Sequence, residues 1–406
     1  MTGTVASPPP WSPSERTAAG IAPVPYKRAT IVEGVRSVSG LLRALRYLVF
    51  LPGMWGLLLA TLLREFILSP SAFLSRKPRP RRPEDVPLPA ESAAGLAGLM
   101  HEQLDVGGGV KLHAASFGRQ PDKPLLLLLH GFPECWYSWR RVMADFRNDF
   151  EVVALDTRGC GWSDKPEGIS SYTPERLSAD VAAVVSALGR TRCTLVGHDW
   201  GGAVAWVAAG RYPGLVERLV VLAAPHWLLY KRNLTGRQMA ASSYFLTFQM
   251  PILPELAFTH HDAKLLSDIW LRPGPGAPRR PGALTAGDVE VYKAALLQPG
   301  TPTASLNYYR ALLAGDLGLL PFHREVDRAL RRQLDMPVLV VWGEKDNALL
   351  TSNLIGLAEV APKSEIHILS NCSHWIQSDQ PEELRRVLAD WLADNPLAQQ
   401  GQGERS

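Results

Sequence analysis

The stretch Val196–Gly202, VGHDWGG, decides how the rest of the chain is read. It follows an apolar run, Cys193–Val196, and leads into AVAWVAAG, which has the composition of a helix. Gly197 and Gly201 flank a central acid, Asp199. A strand that turns at once into a helix lifts the central side chain above the sheet, and only small neighbours let the two elements approach so closely. Serine ordinarily stands at the centre of such a G-x-nucleophile-x-G turn; here it is aspartate. Taken alone, G-x-D-x-G also fits an ordinary strand-to-helix turn, so the surrounding sequence has to discriminate.

Outward from this stretch, from about residue 100, the chain alternates between strands and helices. Val110–Gly118 reads as a strand, and PLLLLLH (Pro124–His130) is a continuous apolar run of the kind buried on both faces of a parallel sheet. Glu151–Asp156, Cys193–Gly197, Arg218–Ala224 and Pro337–Gly343 repeat the theme, and Glu365–Leu369 is shorter. Pro174–Leu188 and Pro381–Leu392 carry helical spacing. The alternation predicts an α/β open sheet with right-handed crossovers. From His226 to about His323 no strand is evident. A helical block between two sheet strands is the expected form of a cap over the sheet's C-terminal edge. Within it LRPGPGAPRRPGAL (Leu271–Leu284) reads as a mobile surface loop.

Three further features line up with the central acid. HGFP (His130–Pro133) follows a buried strand directly, where a backbone N–H is placed to stabilise an oxyanion. Phe132 supplies that N–H, and Trp200, the residue after Asp199, supplies a second. Asp346 in WGEKD follows the strand PVLVVW, with Glu344 as a possible substitute. His374 in NCSHW lies in the loop after the short strand ending near Leu369. Nucleophile, acid and histidine occur along the chain in the order used by hydrolases of this architecture.

Aspartate in the nucleophile's place changes the chemistry. A carboxylate is already ionised at pH 7, needs no base for attack, and suits displacement at an alkyl carbon. The resulting alkyl ester is then hydrolysed, with His374, oriented by Asp346, deprotonating the water. Two reaction classes use this plan, epoxide opening and carbon–halogen hydrolysis. An epoxide oxygen needs a proton donor, whereas a halide needs only N–H donors. A hydrolase-fold binding protein without activity is the non-enzymatic alternative.

At 406 residues, 46% hydrophobic and 20% charged, the chain has room for one large domain plus extensions. A net charge of +4, with no basic patch interleaved with aromatics, argues against a nucleic-acid partner. Cys135, Cys160, Cys193 and Cys372 lack metal-ligand or disulfide spacing and read as free thiols of a reducing compartment. The sequons at Asn233 and Asn371 read as chance. The chain divides into a disordered region (1–40), a hydrophobic anchor segment (41–70), a basic, Pro-rich tether (71–98), a core in two parts (99–225 and 324–395) around a cap (226–323), and a disordered tail (396–406). Tyr47–Leu63 is an uncharged run of seventeen residues, near the short limit for crossing a bilayer, and an interfacial or buried helix is the alternative. Arg76–Arg82 packs five basic residues into seven positions. The positive-inside rule then predicts a single-pass segment of an internal membrane, the endoplasmic reticulum, with the C-terminal part facing the cytoplasm.

Over residues 98–395 the sequence resembles the epoxide hydrolases of the α/β-hydrolase superfamily. The matching motifs are HGFPECWYSWR (His130–Arg140), LDTRGCGWSDKP (Leu155–Pro166), VGHDWGG, WGEKD and SHW. With its N-terminal hydrophobic segment, the chain is similar to the small membrane-anchored group of that family, epoxide hydrolases 3 and 4. The Pro-rich N-terminus and the Arg-Pro-Gly stretch near 273–281 depart from that group. The resemblance implies an α/β-hydrolase fold with a helical cap, no metal or organic cofactor, and epoxides of lipids or xenobiotics as substrates. It also implies two cap tyrosines that donate hydrogen bonds to the epoxide oxygen. SYFLTFQ places the first at Tyr244, five residues before Gln249; NYYR places the second at Tyr309, with Tyr308 beside it. A phenol, with a pKa near ~10, is a suitable acid for an alkoxide.

Overall fold

The computed structural model describes residues 81–316 and 324–397. An eight-stranded sheet runs in the order β1-β2-β4-β3-β5-β6-β7-β8. The strands are β1 (Met100–Asp105), β2 (Lys111–Ser116), β3 (Leu125–Leu129), β4 (Glu151–Leu155), β5 (Cys193–His198), β6 (Val216–Leu222), β7 (Val338–Gly343) and β8 (Ser364–Leu369). β2 is antiparallel to both β1 and β4, and all other pairs are parallel. Every residue of β3, β4, β5 and β7 is buried, because helices cover both faces of the parallel part. The α/β sheet predicted from alternating patterning is therefore observed. Strand order reverses between β3 and β5, the position where a crevice opens at the carboxyl ends of such strands.

The principal helices are α1 (Pro174–Ala187), α2 (Trp200–Arg211), α3 (Leu253–Leu271), α4 (Ala286–Leu296), α5 (Thr301–Asp316), α6 (Arg324–Arg331) and α7 (Pro381–Asp394). Between β6 and β7 the described residues form helices and no strand. α3 is broken at His260–Ala263, where His261, Asp262 and Ala263 take left-handed backbone angles. α4 starts with a capping box, Thr285 and Asp288 exchanging hydrogen bonds of 3.1 and 2.8 Å. Asp288 also ties this helix to the core: it accepts a hydrogen bond from Tyr137 Oη (2.8 Å) and pairs with buried Arg140 at 3.1 Å. Tyr308 of α5 makes a second tie, donating to the Arg158 carbonyl at 2.6 Å.

Three sequence expectations change here. β1 was absent from the pattern: as a sheet-edge strand with one buried residue, Leu104, it carries no apolar alternation. The tether expected to reach residue 98 packs on the core before then, with Val86 and Leu96 buried in it and Ser92 bonded to Tyr137. The loop at 271–284, expected to be mobile, is held by hydrogen bonds to the core at Pro275, Gly276, Arg279 and Arg280. Proline richness makes a segment irregular, but it does not prevent docking through its carbonyls and remaining N–H groups. The hydrophobic segment 41–70 lies outside the described residues; among those described, no helix is long and apolar enough to cross a membrane.

Candidate active site

Asp199 sits between β5 and α2 with φ 50° and ψ −119°, a backbone conformation costing a non-glycine residue about 1–3 kcal/mol. Surrounding glycines make the turn possible. A Cβ on Gly197 would lie 2.4 Å from the Gly201 carbonyl oxygen, and one on Gly201 would lie 2.2 Å from the Leu129 carbonyl oxygen. A Cβ on Gly131 would meet that of Asp199 at 2.5 Å. Strand, helix and the HGFP loop are thus in backbone contact around one carboxylate. Gly201→Ala is expected to destabilise the protein by at least about 2 kcal/mol, because only main chain stands in the way and must shift; the urea midpoint of the purified variant checks this.

The carboxylate meets its partners from two sides. Phe132 N–H donates to Asp199 Oδ1 at 2.9 Å, and His374 Nε2 lies 3.5 Å from Asp199 Oδ2. His374 Nδ1 donates to Asp346 Oδ2 at 2.8 Å. The other oxygen of Asp346 accepts the N–H groups of Ala348 (2.8 Å) and Leu349 (2.9 Å), which fixes the carboxylate. Glu344, the alternative acid, is exposed, pairs with Lys345 at 3.3 Å and accepts from Asn371 N–H, so Asp346 alone orients the histidine. Trp200, the other oxyanion-hole candidate, is the first residue of α2, so its N–H is one of the unsatisfied donors of that helix start.

Burial would raise the Asp199 pKa, but the hydrogen bond and charge of His374 outweigh it and hold the carboxyl below the ordinary aspartate value. Burial would likewise lower the His374 pKa, but the Asp346 charge and the hydrogen bonds to both carboxylates hold it well above the ordinary imidazole value. His374 thus lies between two carboxylates that both favour its protonated form.

Tyr244 and Tyr309 line the same cavity as Asp199. Their rings lie 5.9 Å apart, nearly perpendicular. Burial, and then the Asp199 charge, keep both phenols far above their usual pKa, so both stay protonated. The rest of the lining is largely apolar and includes Leu177, Val204, Trp227, Phe245, Leu312 and Leu349. Of the two NYYR tyrosines, Tyr308 donates to the Arg158 carbonyl, while Tyr309 lines the cavity with Asp199.

Glu134 and His198 were not singled out as site residues from the sequence. His198, fully buried, has Nδ1 2.8 Å from Glu134 Oε2 and donates from Nε2 to the His374 carbonyl (2.9 Å), so it holds the histidine loop in place. Both residues lie inside the quoted motifs, but their partners are 64 and 176 positions apart, and no spacing rule links them. The four cysteines are buried and unpaired with one another. Among the described residues, no group of three or more His, Cys, Asp or Glu is arranged to hold a metal ion.

A carboxylate on a strained strand-to-helix turn, with an aligned histidine–aspartate pair at neighbouring strand ends, defines an α/β hydrolase. In agreement, residues 124–272 match the family model described as alpha/beta hydrolase fold. Epoxide hydrolase 4 of Mus musculus is 35% identical over 290 residues, 70% of this chain and 77% of that protein. Epoxide hydrolase 3 of the same organism is 36% identical over 291 residues, 70% and 75% of the two chains. Among solved structures, a mutant epoxide hydrolase from Bacillus megaterium, complexed with its product (R)-3-[1]naphthyloxy-propane-1,2-diol, aligns with a TM-score of 0.61 and 33% identity. It covers 72% of this chain and 100% of its own. The chain belongs to the epoxide hydrolases of the α/β-hydrolase fold, enzymes that act on ether bonds.

Proposed function

We propose that the protein hydrolyses epoxides of lipids to vicinal diols through a covalent ester on Asp199. The observation that carries this reading is the single cavity shared by the Asp199 carboxylate and two protonated phenols, Tyr244 and Tyr309. A carboxylate oxygen attacks one epoxide carbon, the carbon–oxygen bond breaks, and the oxygen takes a proton from a tyrosine. Ester formation removes the Asp199 charge, one of the influences that keeps His374 protonated, so the imidazole loses its proton more readily in the intermediate. Neutral His374 then takes a proton from water as that water attacks the ester carbonyl carbon. The N–H groups of Phe132 and Trp200 bear the charge that develops on the carbonyl oxygen. On collapse the ester carbon–oxygen bond breaks and its oxygen takes the second proton of the attacking water, releasing the diol. The proton that His374 gave up in the intermediate restores the tyrosine phenol, and one oxygen of the regenerated Asp199 comes from water. The apolar wall of the cavity supports a substrate with hydrocarbon arms.

Single turnover in heavy-oxygen water tests the route: label is expected in Asp199, and unlabelled Asp199 with labelled diol would refute it. Tyr244→Phe with Tyr309→Phe is expected to lower epoxide turnover by about 100-fold, since both proton donors are removed while packing is kept. Turnover of a long-chain fatty-acid epoxide measures this, and near-normal rates would reject the tyrosine assignment. Release of halide from a chlorinated substrate, without diol formation from epoxides, would favour the dehalogenase alternative.

We further propose that residues 41–70 anchor the enzyme to the endoplasmic reticulum membrane with the catalytic part facing the cytoplasm. The support is the apolar run Tyr47–Leu63 with the basic cluster that follows it. Retention after alkaline carbonate extraction and protease sensitivity in intact microsomes are the expected results.

A further inference from the structure

We propose that the Pro/Arg-rich segment 272–284 is a clasp that holds the acid loop and the histidine loop in register, with Asp379 as its central positioning residue. This inference rests on the roles proposed above for His374 and Asp346. Asp379 is 1% exposed, and its two oxygens face opposite ways. Oδ1 accepts the N–H groups of Arg279 (2.6 Å) and Arg280 (3.0 Å), both in the segment. Oδ2 accepts the N–H of Ser373 at 2.7 Å, the residue immediately before His374. On the other flank of His374, Trp375 Nε1 donates to the Gly276 carbonyl at 2.7 Å. Asn347, next to Asp346, donates from Nδ2 to the Pro275 carbonyl at 3.0 Å.

The segment is therefore bonded to both neighbours of the histidine, once directly and once through Asp379, and to the neighbour of the acid. Its anchor points lie on two loops that follow different strands, β7 and β8, and carry the two members of the 2.8 Å His374–Asp346 hydrogen bond. Trp270, at the end of α3 just before the segment, packs edge-on against Trp375 with ring centres 5.3 Å apart, so the clasp is continuous with the cap. None of these groups touches the Asp199 carboxylate. Loosening the clasp should leave attack on the epoxide intact and misplace the base that the second step requires, and misplacement of a reacting group by about 1 Å can cost about 100-fold in rate.

The test uses the full chain and three variants, Asp379→Asn, Trp375→Phe and Asn347→Ala, with a fatty-acid epoxide. Rapid-quench mass measurement separates ester formation from ester hydrolysis. Ester formation within about twofold of the native rate, with hydrolysis slowed at least about tenfold in Asp379→Asn, is the expected result. Hydrolysis at the native rate, or both steps slowed in the same proportion, would overturn the clasp. Neither Trp375→Phe nor Asn347→Ala alters a charge. Trp375→Phe also trims the ring packed edge-on against His374, which by itself would raise the midpoint. A fall in the His374 titration midpoint in their NMR spectra therefore reports the loosened pairing with Asp346, and a fall is expected. An unchanged midpoint in both overturns the inference. Should Asp379→Asn fail to fold, these two variants decide it. If the native enzyme forms no ester, the proposed mechanism fails, while the titration still judges the clasp.

Discussion

Asp199→Asn is expected to lose epoxide turnover by about 10⁴-fold or more, because in the proposed mechanism the first covalent bond of the reaction is made by the atom removed. Asparagine is nearly isosteric and is among the few residues that tolerate positive φ, so the strained turn at φ 50° survives the change. The loss then reports chemistry rather than unfolding, and circular dichroism and the urea midpoint confirm it. The same variant tests the electrostatics of the site. Asp199 contributes both a hydrogen bond and a charge that favour the protonated imidazole. Replacing it by a neutral amide lowers the titration midpoint of His374, which histidine NMR measures. The sign follows from linkage: a group whose folded pKa is raised is most favourably placed in its charged form at low pH, and loses that stabilisation as pH rises through the folded pKa. In the Asp199→Asn variant that loss begins at lower pH. An unchanged midpoint would mean that the contact of 3.5 Å between His374 Nε2 and the carboxylate carries no interaction.

His374→Gln is expected to slow turnover by about 10³-fold while leaving the first step in place. A carboxylate needs no base to attack, so Asp199 still forms the ester; water, without a base, does not clear it at a useful rate. The ester should accumulate and appear as a mass increase equal to the whole substrate, located by peptide mapping to the segment containing Asp199. Unmodified protein after incubation with a fatty-acid epoxide would remove His374 from its role as base. The two variants therefore have opposite signatures: one cannot form the intermediate, and the other cannot lose it. A pH effect follows as well. Because ester formation deletes a charge that holds the imidazole protonated, ester hydrolysis should reach its plateau at lower pH than the His374 titration in the free enzyme.

Much of the fold was legible because its signals are local. Runs such as LLLLL at β3 and VLVVWG at β7 are apolar throughout since helices cover both faces of the sheet, and burial of that kind leaves its mark on every residue. The edge strand β1 left no such mark, since only Leu104 is buried there. The elbow was legible for a steric reason: Gly197 and Gly201 stand where a Cβ would collide with main chain, so the letters themselves record the close approach. The order of Asp199, Asp346 and His374, each after a strand, could be read because one sheet edge collects all strand ends.

What the sequence by itself determined is the kind of protein and the candidates for its reacting groups: an α/β sheet, an aspartate in the nucleophile's turn, and a histidine and an acid at later strand ends. What only the tertiary structure decided is direction. Tyr308 and Tyr309 are adjacent on α5, yet one bonds to the Arg158 carbonyl and the other lines the cavity with Asp199. Asp346 and Glu344 are two residues apart, yet only Asp346 meets His374. Glu134, His198 and the segment 272–284 hold the histidine loop through partners that are remote in the chain or hidden in proline-rich sequence. Periodicity and turn chemistry act over a few residues and can be read from letters. The direction of a side chain in a packed site is set by contacts among distant segments, which exist only once the chain has folded.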